Sequence, residues 1–353
     1  MAGRGAARGR GMRGRRARRP GRYVAGPGRP ISSREHIVDP ALVVAPHPND
    51  NINLKRIHLN VTRDEEVCIN WLASKGLLRN SVNCPNCENQ CRLHADRTRS
   101  DSFRWRCPQG NCSFRLSIRD GSFFERSHLN LTTLVELIYW WTIDCSQFLV
   151  KTELEIGSPG TMVDWYNFIR DICANWVLDF SEQIGGFDEN GLPIEVEIDE
   201  SKFMHRKYHR GQVRDGHWVF GGIERVSGRC FMVEVERRDA ATLLPLIQQW
   251  ILPGSRIISD MWGAYGGINQ LQQQYDHDWV NHSLHFVDPD DPTIHTHNVE
   301  GLWSRVKRKY RKMSGTSEDL FSGYLQEFMW RRSHPNNQFF QMLHWIAYYY
   351  GYF

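Results

Sequence analysis

Residues 194–201 read IEVEIDES, and the alternation in this stretch decides the fold of the carboxyl-terminal half of the chain. Its apolar residues, Ile194, Val196 and Ile198, fall on one face of an extended chain, while Glu195, Glu197 and Asp199 fall on the other. A period of two residues is typical of a β-strand with one buried face. We therefore predict a half-buried strand that ends in an acid, Asp199.

The segments after this strand predict further strands and helices in a mixed α/β order. HWVFGGIER and RCFMVEVER are typical of two strands joined by a Val-Ser-Gly turn, and RIISD of a short strand. The predicted elements are strands at 217–225 and 229–237, a helix at 240–250, a strand at 256–260 and a basic helix at 295–312. This order favours a ribonuclease H-like core, in which helices flank a mixed sheet.

Three acids fall at the positions where such a core carries its active site. Asp199 lies on the first strand, Asp260 follows the fourth strand, and Glu300 lies near the start of the later helix. In this chemistry two divalent ions about 3.5–4 Å apart activate the attacking oxygen and stabilise the leaving oxygen of a phosphodiester. Carboxylates are the ligands that Mg²⁺ prefers, and Mg²⁺ keeps several waters, so three acids suffice. We predict two Mg²⁺ or Mn²⁺ ions held by these acids.

Each acid also has an ordinary structural interpretation. Asp199 suits the end of a strand beside a turn, and Asp260 suits the N-cap of a following helix. Glu300 competes with Asn298 and with the acids of the segment 288–291, which sit beside prolines and are typical of turns.

Other polar residues surround the three acids in the sequence. Glu197 and Glu200 flank Asp199, and we interpret them as structural, with an electrostatic contribution to the site as the alternative. The histidines His282, His295 and His297 are predicted to orient the acids or DNA, and a second zinc site is the less favoured interpretation.

Five of the nine cysteines lie within residues 84–112 and predict a metal site. Two close pairs, a CxxC and a pair with four residues between its members, can meet around one tetrahedral zinc ion. The predicted ligands of this structural zinc are Cys84, Cys87, Cys107 and Cys112. The residues between the pairs predict a hairpin, so the segment is typical of a zinc ribbon. Cys91 and His94 are spare candidates, interpreted as a buried thiol and a surface imidazole.

A helical region is predicted between the ribbon and the sheet. Residues 131–150 are nearly apolar around the helix circumference and predict one buried helix. After a Gly-Ser-Pro-Gly break, apolar residues recur at helical spacing from Met162 to Trp176. The two helices would form either a helix-turn-helix that enters a DNA groove or a plain helical linker.

The helix that carries Glu300 is strongly basic. Its candidate DNA-binding residues are Lys307, Arg305, Arg308 and Lys309. Lys307 lies seven residues after Glu300, two helical turns on, and therefore shares its face. Beside an acid site that must admit a phosphodiester, contact with the DNA backbone is favoured over a solvated helix face. A second basic cluster, Lys202, Arg206, Lys207 and Arg210, follows Asp199.

The net charge of +4 conceals an uneven distribution. Residues 1–34 hold eleven arginines and no acidic residue, so the rest of the chain carries a net charge of −7. Such a Gly-Arg segment is predicted to be a disordered tail that binds phosphate backbones or directs nuclear import, and both interpretations predict the nucleus. No apolar run is long enough to predict a membrane span.

Several motifs together resemble a known family. The segments EIDES (197–201), ISDMWGAYGGI (258–268) and VNHSLHFVDPDDPTIHTHNVEGLWSRVKRKYR (280–311) are similar to the Merlin superfamily of DDE transposases and their bacterial insertion-sequence relatives. SIRDGSFF (117–124), after the cysteine pairs, resembles the usual front end of that family. The resemblance covers about residues 80–345.

The resemblance implies a catalytic site and a set of partners. Asp199 and Asp260 would be the first two metal ligands and Glu300 the third, although some relatives use an amide, which keeps Asn298 a candidate. Lys307 would contact DNA near the scissile phosphate. The implied partners are the terminal inverted repeats of an element, target DNA and further copies of the chain in a dimer or larger assembly.

The sequence therefore predicts a transposase that cleaves and joins DNA strands. Its predicted domains are a disordered tail at 1–50, a zinc ribbon at 51–125, a helical region at 126–188 and a ribonuclease H-like domain at 189–353. One alternative is a transposase-derived nuclear protein that binds DNA without catalysis, and another is a nuclease that cuts without joining.

Overall fold

A computed structural model of the chain describes residues 34–203, 216–281, 289, 291–313 and 317–353. The predicted arginine-rich tail as far as residue 33 and the basic residues at 206, 207 and 210 lie outside the described residues, as do His282 and the acids at 288 and 290. No helix among the described residues has the length and apolar character that a membrane span requires.

The amino-terminal part combines two helices with a small antiparallel sheet. Helices α1 (Leu54–Asn60) and α2 (Glu65–Ser74) precede strands β1 (Arg92–Ala95), β2 (Phe103–Arg106) and β3 (Arg115–Ser117), in the order β1-β2-β3. Strands β1 and β2 pair from Arg92–Arg106 to Ala95–Phe103, which confirms the hairpin predicted between the two cysteine pairs.

Three helices follow: α3 (Leu131–Thr142), α4 (Gln147–Glu153) and α5 (Pro159–Phe180). The prediction of one helix at 131–150 is wrong, because the chain breaks between α3 and α4. Asp144 adopts a left-handed conformation with φ of 58°, which a continuous helix excludes. Ser146 then caps α4 by accepting a hydrogen bond from the Leu149 amide at 3.3 Å. The predicted helix from Met162 to Trp176 is confirmed within α5.

The central sheet has five strands in the order β10-β9-β5-β6-β7. Its strands are β5 (Glu195–Phe203), β6 (His217–Glu224), β7 (Cys230–Val235), β9 (Arg256–Asp260) and β10 (Asp276–Val280), and a separate parallel pair joins β4 (Ile184–Gly185) to β8 (Ile251–Leu252). Strands β5, β6 and β7 are antiparallel neighbours, whereas β9 and β10 run parallel to β5. The mixed sheet predicted from the sequence is therefore confirmed.

Two details of this sheet differ from the prediction. Strand β5 does not end at Asp199 but continues to Phe203, where it still pairs with His217 of β6. Strand β10 lies between the strand predicted at 256–260 and the helix predicted at 295–312, where the sequence predicts no element because only His277 and Val280 of its five residues are buried.

The helices of the carboxyl-terminal half are α6 (Ala240–Trp250), α7 (His297–Lys312), α8 (Phe321–Ser333) and α9 (Gln338–Tyr350), with a 3₁₀ segment at Gly263–Gln270. Residues of α6, α7 and α8 share one hydrophobic core with the sheet. Helix α9 instead contributes Phe340, Leu343 and Ile346 to the core of the amino-terminal helices. These contacts join the carboxyl-terminal helix to the amino-terminal half of the chain.

Candidate active site and metal centre

Asp199 and Asp260 lie on neighbouring parallel strands. In the parallel pairing of β5 with β9, Glu197 is opposite Ile258. Two residues further along both strands, Asp199 is level with Asp260, and adjacent strands are about 4.8 Å apart. Strand β9 ends at Asp260, where the Trp262 amide donates a hydrogen bond to the Asp260 carboxylate at 3.2 Å. The structure therefore brings the first two predicted acids together.

The electrostatics around Asp199 and Asp260 favour a bound cation. Burial, together with the negative charges of Glu200 and Asp260, raises the pKa of Asp199 to about 7. Burial also raises the pKa of Glu200, and its Oε1 atom is buried without a hydrogen-bond partner in the described part of the chain. Asp199 and Asp260 are a pair of neighbouring carboxylates whose ionisation a divalent cation with oxygen ligands would favour.

Helix α7 packs against the face of the sheet that carries Asp199. The Trp303 indole Nε1 donates a hydrogen bond to Asp199 Oδ2 at 3.0 Å. Gly221 of β6, which is opposite Asp199, makes room for this ring, since a Cβ atom at Gly221 would lie 2.6 Å from it. Glu300 lies one helical turn before Trp303 and is therefore its neighbour on the helix surface. Glu300 is exposed, and its Oε1 lies 3.4 Å from the Thr296 hydroxyl.

Glu197 anchors the start of this helix to the strand that carries Asp199. Its side chain has 0% exposure and accepts hydrogen bonds from the Asn298 and Val299 amides at 2.7 and 3.0 Å. Arg225 Nε donates a further bond at 2.7 Å. A carboxylate at a helix N-terminus accepts hydrogen bonds from amides that have no partner within the helix. Its negative charge also interacts favourably with the positive end of the helix dipole. Glu197 and Trp303 thus hold α7 at two points against β5.

This anchor bears on the choice between Asn298 and Glu300 as third ligand. The Asn298 side-chain amide donates to Glu197 Oε1 at 2.7 Å, so it is committed to the anchor. The sequence alone indicates a structural acid at Glu197 but not its partners. The available signal was its position, two residues before Asp199 on the same face of the strand.

Two arginines connect the anchor to the loop before α7. Arg225 donates to Glu195 at 2.7 Å and to the carbonyl groups of Thr293 and His295. Arg256 donates to Glu195 at 2.8 Å and lies 3.3 Å from Asp291. Since Asp291 also caps a turn at Thr293, it has the turn function expected for it.

The histidines at the start of α7 belong to this anchored region. His295 and His297 stack with ring centroids 4.6 Å apart, and His295 Nδ1 lies 3.3 Å from Arg225. Burial and the charge of Arg225 lower the pKa of His295. Among the described residues these histidines form no group of closely spaced metal-binding atoms.

The four predicted zinc ligands converge at the base of the small sheet. The Sγ atoms of Cys84, Cys87, Cys107 and Cys112 all lie within 4.8 Å of one another. Two of these distances are 3.5 Å for Cys84–Cys112 and 3.4 Å for Cys87–Cys107. Zinc–sulfur bonds of about 2.3 Å in a tetrahedron require about 3.8 Å between sulfurs. The cluster could therefore hold one zinc ion with only a small adjustment.

Other observations at the cysteine cluster agree with this assignment. Hydrogen bonds from Asn89 lower the pKa of Cys87 to about 6, and hydrogen bonds to Cys112 lower the pKa of that thiol, which favours thiolates at these two positions. Burial instead raises the pKa of Cys84 and Cys107. Cys91 is buried but is not a member of the four-sulfur group, and burial raises its pKa to about 11.

The basic residues of α7 divide between two environments. The Lys307 ammonium lies 5.3 Å from the Phe203 ring, on the side of the helix that faces the end of β5. Lys309 is instead paired with Glu327 at 2.6 Å and with Asp144 at 3.4 Å. Arg305 and Arg308 line an open groove between α7 and α8, together with Lys312 and Arg332.

Comparison with known proteins identifies the carboxyl-terminal part of the chain. Residues 186–333 match the ISXO2-like transposase domain. An "Uncharacterized transposase-like protein" of Haemophilus influenzae is 28% identical over 103 residues, which cover 29% of this chain and 80% of that protein.

A solved structure, titled "CryoEM structure of simian T-cell lymphotropic virus intasome in complex with PP2A regulatory subunit B56 gamma", aligns with 56% of this chain and 67% of its own chain. Its sequence identity is 15% and its TM-score 0.29, a value too low to assign a fold. The domain match and the bacterial relative confirm the resemblance predicted from the motifs: residues 186–333 carry a domain of an insertion-sequence transposase family.

Proposed function

We propose that the protein is a DNA transposase that cleaves DNA at the ends of an element and joins those ends to target DNA. The observation that carries this proposal is the meeting of Asp199 and Asp260 on two neighbouring inner strands of the sheet, beside the helix of Glu300, within the matched transposase domain. Transposition needs phosphodiester cleavage and strand transfer at one site, and three carboxylates suit both reactions.

The strand order supports a ribonuclease H-like core. Three antiparallel strands, β7, β6 and β5, are followed across the sheet by the parallel strands β9 and β10. Asp199 lies on the first of these strands along the chain, Asp260 ends the fourth, and Glu300 lies on a later helix. This is the distribution of acids that the family resemblance implies. The four predicted domains, 1–50, 51–125, 126–188 and 189–353, remain part of the proposal.

Asp199, Asp260 and Glu300 would hold two Mg²⁺ or Mn²⁺ ions. When bound, such ions lower the pKa of the attacking hydroxyl group and neutralise charge on the phosphodiester. The mutual repulsion of Asp199, Glu200 and Asp260 supports this fit, because a cation would relieve it. Glu197 and Trp303 would keep α7, and with it Glu300, in register with the two aspartates.

The reaction consists of two phosphoryl transfers. In the first, a water oxygen bonds to phosphorus while the bond to the 3′ oxygen breaks, which leaves a 3′-hydroxyl and a 5′-phosphate. In the second, that 3′-hydroxyl bonds to a phosphorus of the target strand and displaces the target's own 3′ oxygen. Lys307 and the exposed Arg305 and Arg308 would hold the DNA backbone during both steps.

The remaining partners follow from the same proposal. One structural zinc ion would complete the cysteine cluster, and the arginine-rich tail would add affinity for DNA in the nucleus. Two DNA ends must be brought together, so the working assembly is proposed to be a homodimer or larger.

The test is a cleavage and joining assay with purified protein on DNA that carries the inverted repeats flanking its gene, in Mg²⁺ and in Mn²⁺. Wild type is compared with Asp199→Ala, Asp260→Ala and, as a matched control, the exposed acid Asp276→Ala. Joined products from wild type and Asp276→Ala that vanish in the other two variants are the expected result.

The two alternatives are outcomes of the same assay. Cleaved but unjoined ends would identify a nuclease, and tight DNA binding without metal-dependent products would identify a DNA-binding protein without catalysis. Either result overturns the proposed strand transfer.

A further inference from the structure

Four side chains form an alternating row of cations and tryptophans next to the acid edge, the site formed by Asp199 and Asp260 with Glu300 beside them. The Lys202 ammonium lies 5.5 Å from the centre of the Trp218 ring, and the Arg238 guanidinium lies 3.7 Å from the centre of the same ring. The same guanidinium lies 5.0 Å from the centre of the Trp262 ring. We call Lys202, Trp218, Arg238 and Trp262 the cation–tryptophan row.

The row lies on the face of the sheet opposite to α7. Lys202 pairs with Trp218 across β5 and β6, and Lys202 lies three positions after Asp199 on β5. Because side chains alternate along a strand, Lys202 and Trp218 point away from the face that Asp199 and Trp303 share. The far end of the row is Trp262, whose amide binds the Asp260 carboxylate. The acid edge is therefore flanked by α7 on one side and by this row on the other.

The end of the row is held in place and open to solvent. The Trp262 indole donates a hydrogen bond to the Arg238 carbonyl at 3.2 Å, which fixes the orientation of the ring. Trp262 is nevertheless 44% exposed, and the neighbouring Met261 is 60% exposed. In the described part of the chain, neither Lys202 nor Arg238 has a carboxylate within ion-pair distance, although the charge of Arg238 partly offsets the rise that burial causes in the pKa of the nearby Glu200.

These properties match the chemistry of an unpaired DNA strand. Every base offers a π-face to a fixed aromatic ring, and its phosphate is drawn to a nearby guanidinium or ammonium. A base that remains within a duplex is covered on both faces by its neighbours, so only an unstacked base can use such a ring. The row offers few groups for reading base edges, and stacking of this kind tolerates any sequence.

We propose that the cation–tryptophan row binds unpaired nucleotides of the DNA strand that leaves the acid edge, with Trp262 stacking on the first of them. The proposal rests on the proposed function, because it assumes that DNA occupies that edge. It adds a separate site: a place for bases released from the duplex next to the cut, on the side of the sheet away from α7.

The test measures binding with a chain that cannot cut. Full-length Asp199→Asn protein, with zinc content verified, is titrated with a duplex that has a short single-stranded overhang containing 2-aminopurine, and with the blunt duplex. Stacking on Trp262 is expected to change the 2-aminopurine emission and to favour the overhang. Adding Trp262→Ala is expected to weaken overhang binding by about fivefold or more, as for loss of one stacked base.

Two further variants make the result specific. Trp262→Phe keeps a ring and is expected to retain most of the preference for the overhang. Tyr348→Ala removes a 59% exposed aromatic side chain from α9, remote from the sheet, and is expected to change neither affinity nor emission. Equal affinities for overhang and blunt duplex, or an unchanged affinity and emission in Trp262→Ala, would overturn the proposal.

Failure of the row and failure of the proposed function give different results. If wild type forms joined products while Trp262→Ala binds the overhang like its parent, only the row is excluded. If wild type forms no products while Trp262→Ala loses overhang binding, the row stands as a single-strand site and the proposed catalysis is excluded.

Discussion

The cysteine cluster and the acid edge are two candidate metal sites built in opposite ways. The four sulfurs come from one segment of 29 residues, on turns next to a short hairpin, and lie within 4.8 Å of one another. The acids come from β5, the end of β9 and α7, separated by 60 and 39 residues. Among the described residues, no group that includes these acids brings its ligand atoms as close as the sulfurs.

The difference reflects what each metal requires of a protein. A structural zinc ion takes all four ligands from the chain, so its site is closed and is formed by local folding. Mg²⁺ keeps waters and accepts phosphate oxygens, so its site stays open for substrate. Unlike the cysteine cluster, the acid edge is positioned by contacts between residues far apart in the chain. The hydrogen bonds of the buried acids Glu197 and Glu327 to α7 are two of these contacts.

The largest effect is expected when a ligand is removed from the closed site, the cysteine cluster. Cys84→Ser and Cys107→Ser each remove a thiolate, and structural zinc in small domains supplies about 10 kcal/mol or more of folding free energy. We expect loss of bound zinc, measured by elemental analysis, and loss of the cooperative unfolding of the amino-terminal part. Cys91→Ala is the matched control and should keep one zinc per chain. Full zinc content in Cys84→Ser would contradict the closed-site model.

The second prediction concerns the third ligand of the open site. Glu300→Gln should reduce strand joining by about a thousandfold or more, since metal ligands stabilise the transition state by several kcal/mol. Asn298→Ala should cost far less, because its amide serves the Glu197 anchor. The yield of joined product over time, in Mg²⁺ and in Mn²⁺, distinguishes the Glu300→Gln variant from the Asn298→Ala variant. A greater loss in Asn298→Ala than in Glu300→Gln would transfer the ligand assignment to Asn298.

The third prediction concerns the buried charges that join α5, α7 and α8. Burial raises the pKa of Glu327, but Lys309, Arg331 and Arg170 outweigh this effect and hold it well below the ordinary value. Glu327→Gln leaves these cations without their carboxylate and should lower the free energy of unfolding by about 3–5 kcal/mol in urea denaturation.

The sign of its pH dependence follows from the lowered pKa. The stabilisation by Glu327 is fully present above the unfolded pKa, near 4.5, and is lost as the pH falls through the folded pKa. The difference in unfolding free energy between wild type and Glu327→Gln should therefore be constant from pH 7 to about 5 and shrink in more acidic solution. The exposed acid Glu189→Gln is the control. A difference that grows on acidification would refute the charge network.

The fourth prediction sharpens the positioning of the open site. Glu197→Gln removes the charge that caps α7, and loss of an outer-shell partner typically costs about 10–100-fold in activity or metal affinity. We expect slower joining that extra Mg²⁺ partly restores, with unchanged DNA affinity. Glu195→Gln, which removes another Arg225 partner without contacting α7, should affect joining less. Equal losses in both variants, with no response to Mg²⁺, would indicate a general structural effect.

The smallest predicted effect separates the basic residues of α7. Arg305→Ala and Arg308→Ala should each reduce the slope of log affinity for DNA against log salt by about 0.9, as expected for one lost phosphate contact. Lys309→Met should leave the slope unchanged and lower the unfolding free energy, because Lys309 is paired with Glu327. A slope that is reduced in Lys309→Met but not in the two arginine variants would show that Lys309, and not Arg305 or Arg308, contacts DNA.

The contrast between the sites also explains what the sequence could predict. The cysteine spacing predicted the ligand group, because all four sulfurs come from one short segment. The alternation around Asp199 predicted its strand, but not that the strand continues to Phe203, since the continuation depends on pairing with β6. The break at Asp144 was missed because its left-handed conformation is hidden in an apolar run.

The position of α7 could not be predicted from the chain alone. Glu197 and Val299 are 102 residues apart, and their hydrogen bond exists only after the sheet and the helix have met. Strand β10 was missed for a related reason, because its polar residues reach the parallel position beside β9 only in the folded sheet.

The most direct test of the central claim, that the acid edge is an open divalent-metal site distinct from the zinc cluster, is an electron paramagnetic resonance titration with Mn²⁺. Zinc-loaded wild type and the Asp199→Asn and Asp260→Asn variants are titrated in the presence of DNA. The account predicts Mn²⁺ binding by wild type that is lost in both variants while zinc content stays constant. Mn²⁺ binding that is unchanged in both variants would contradict it.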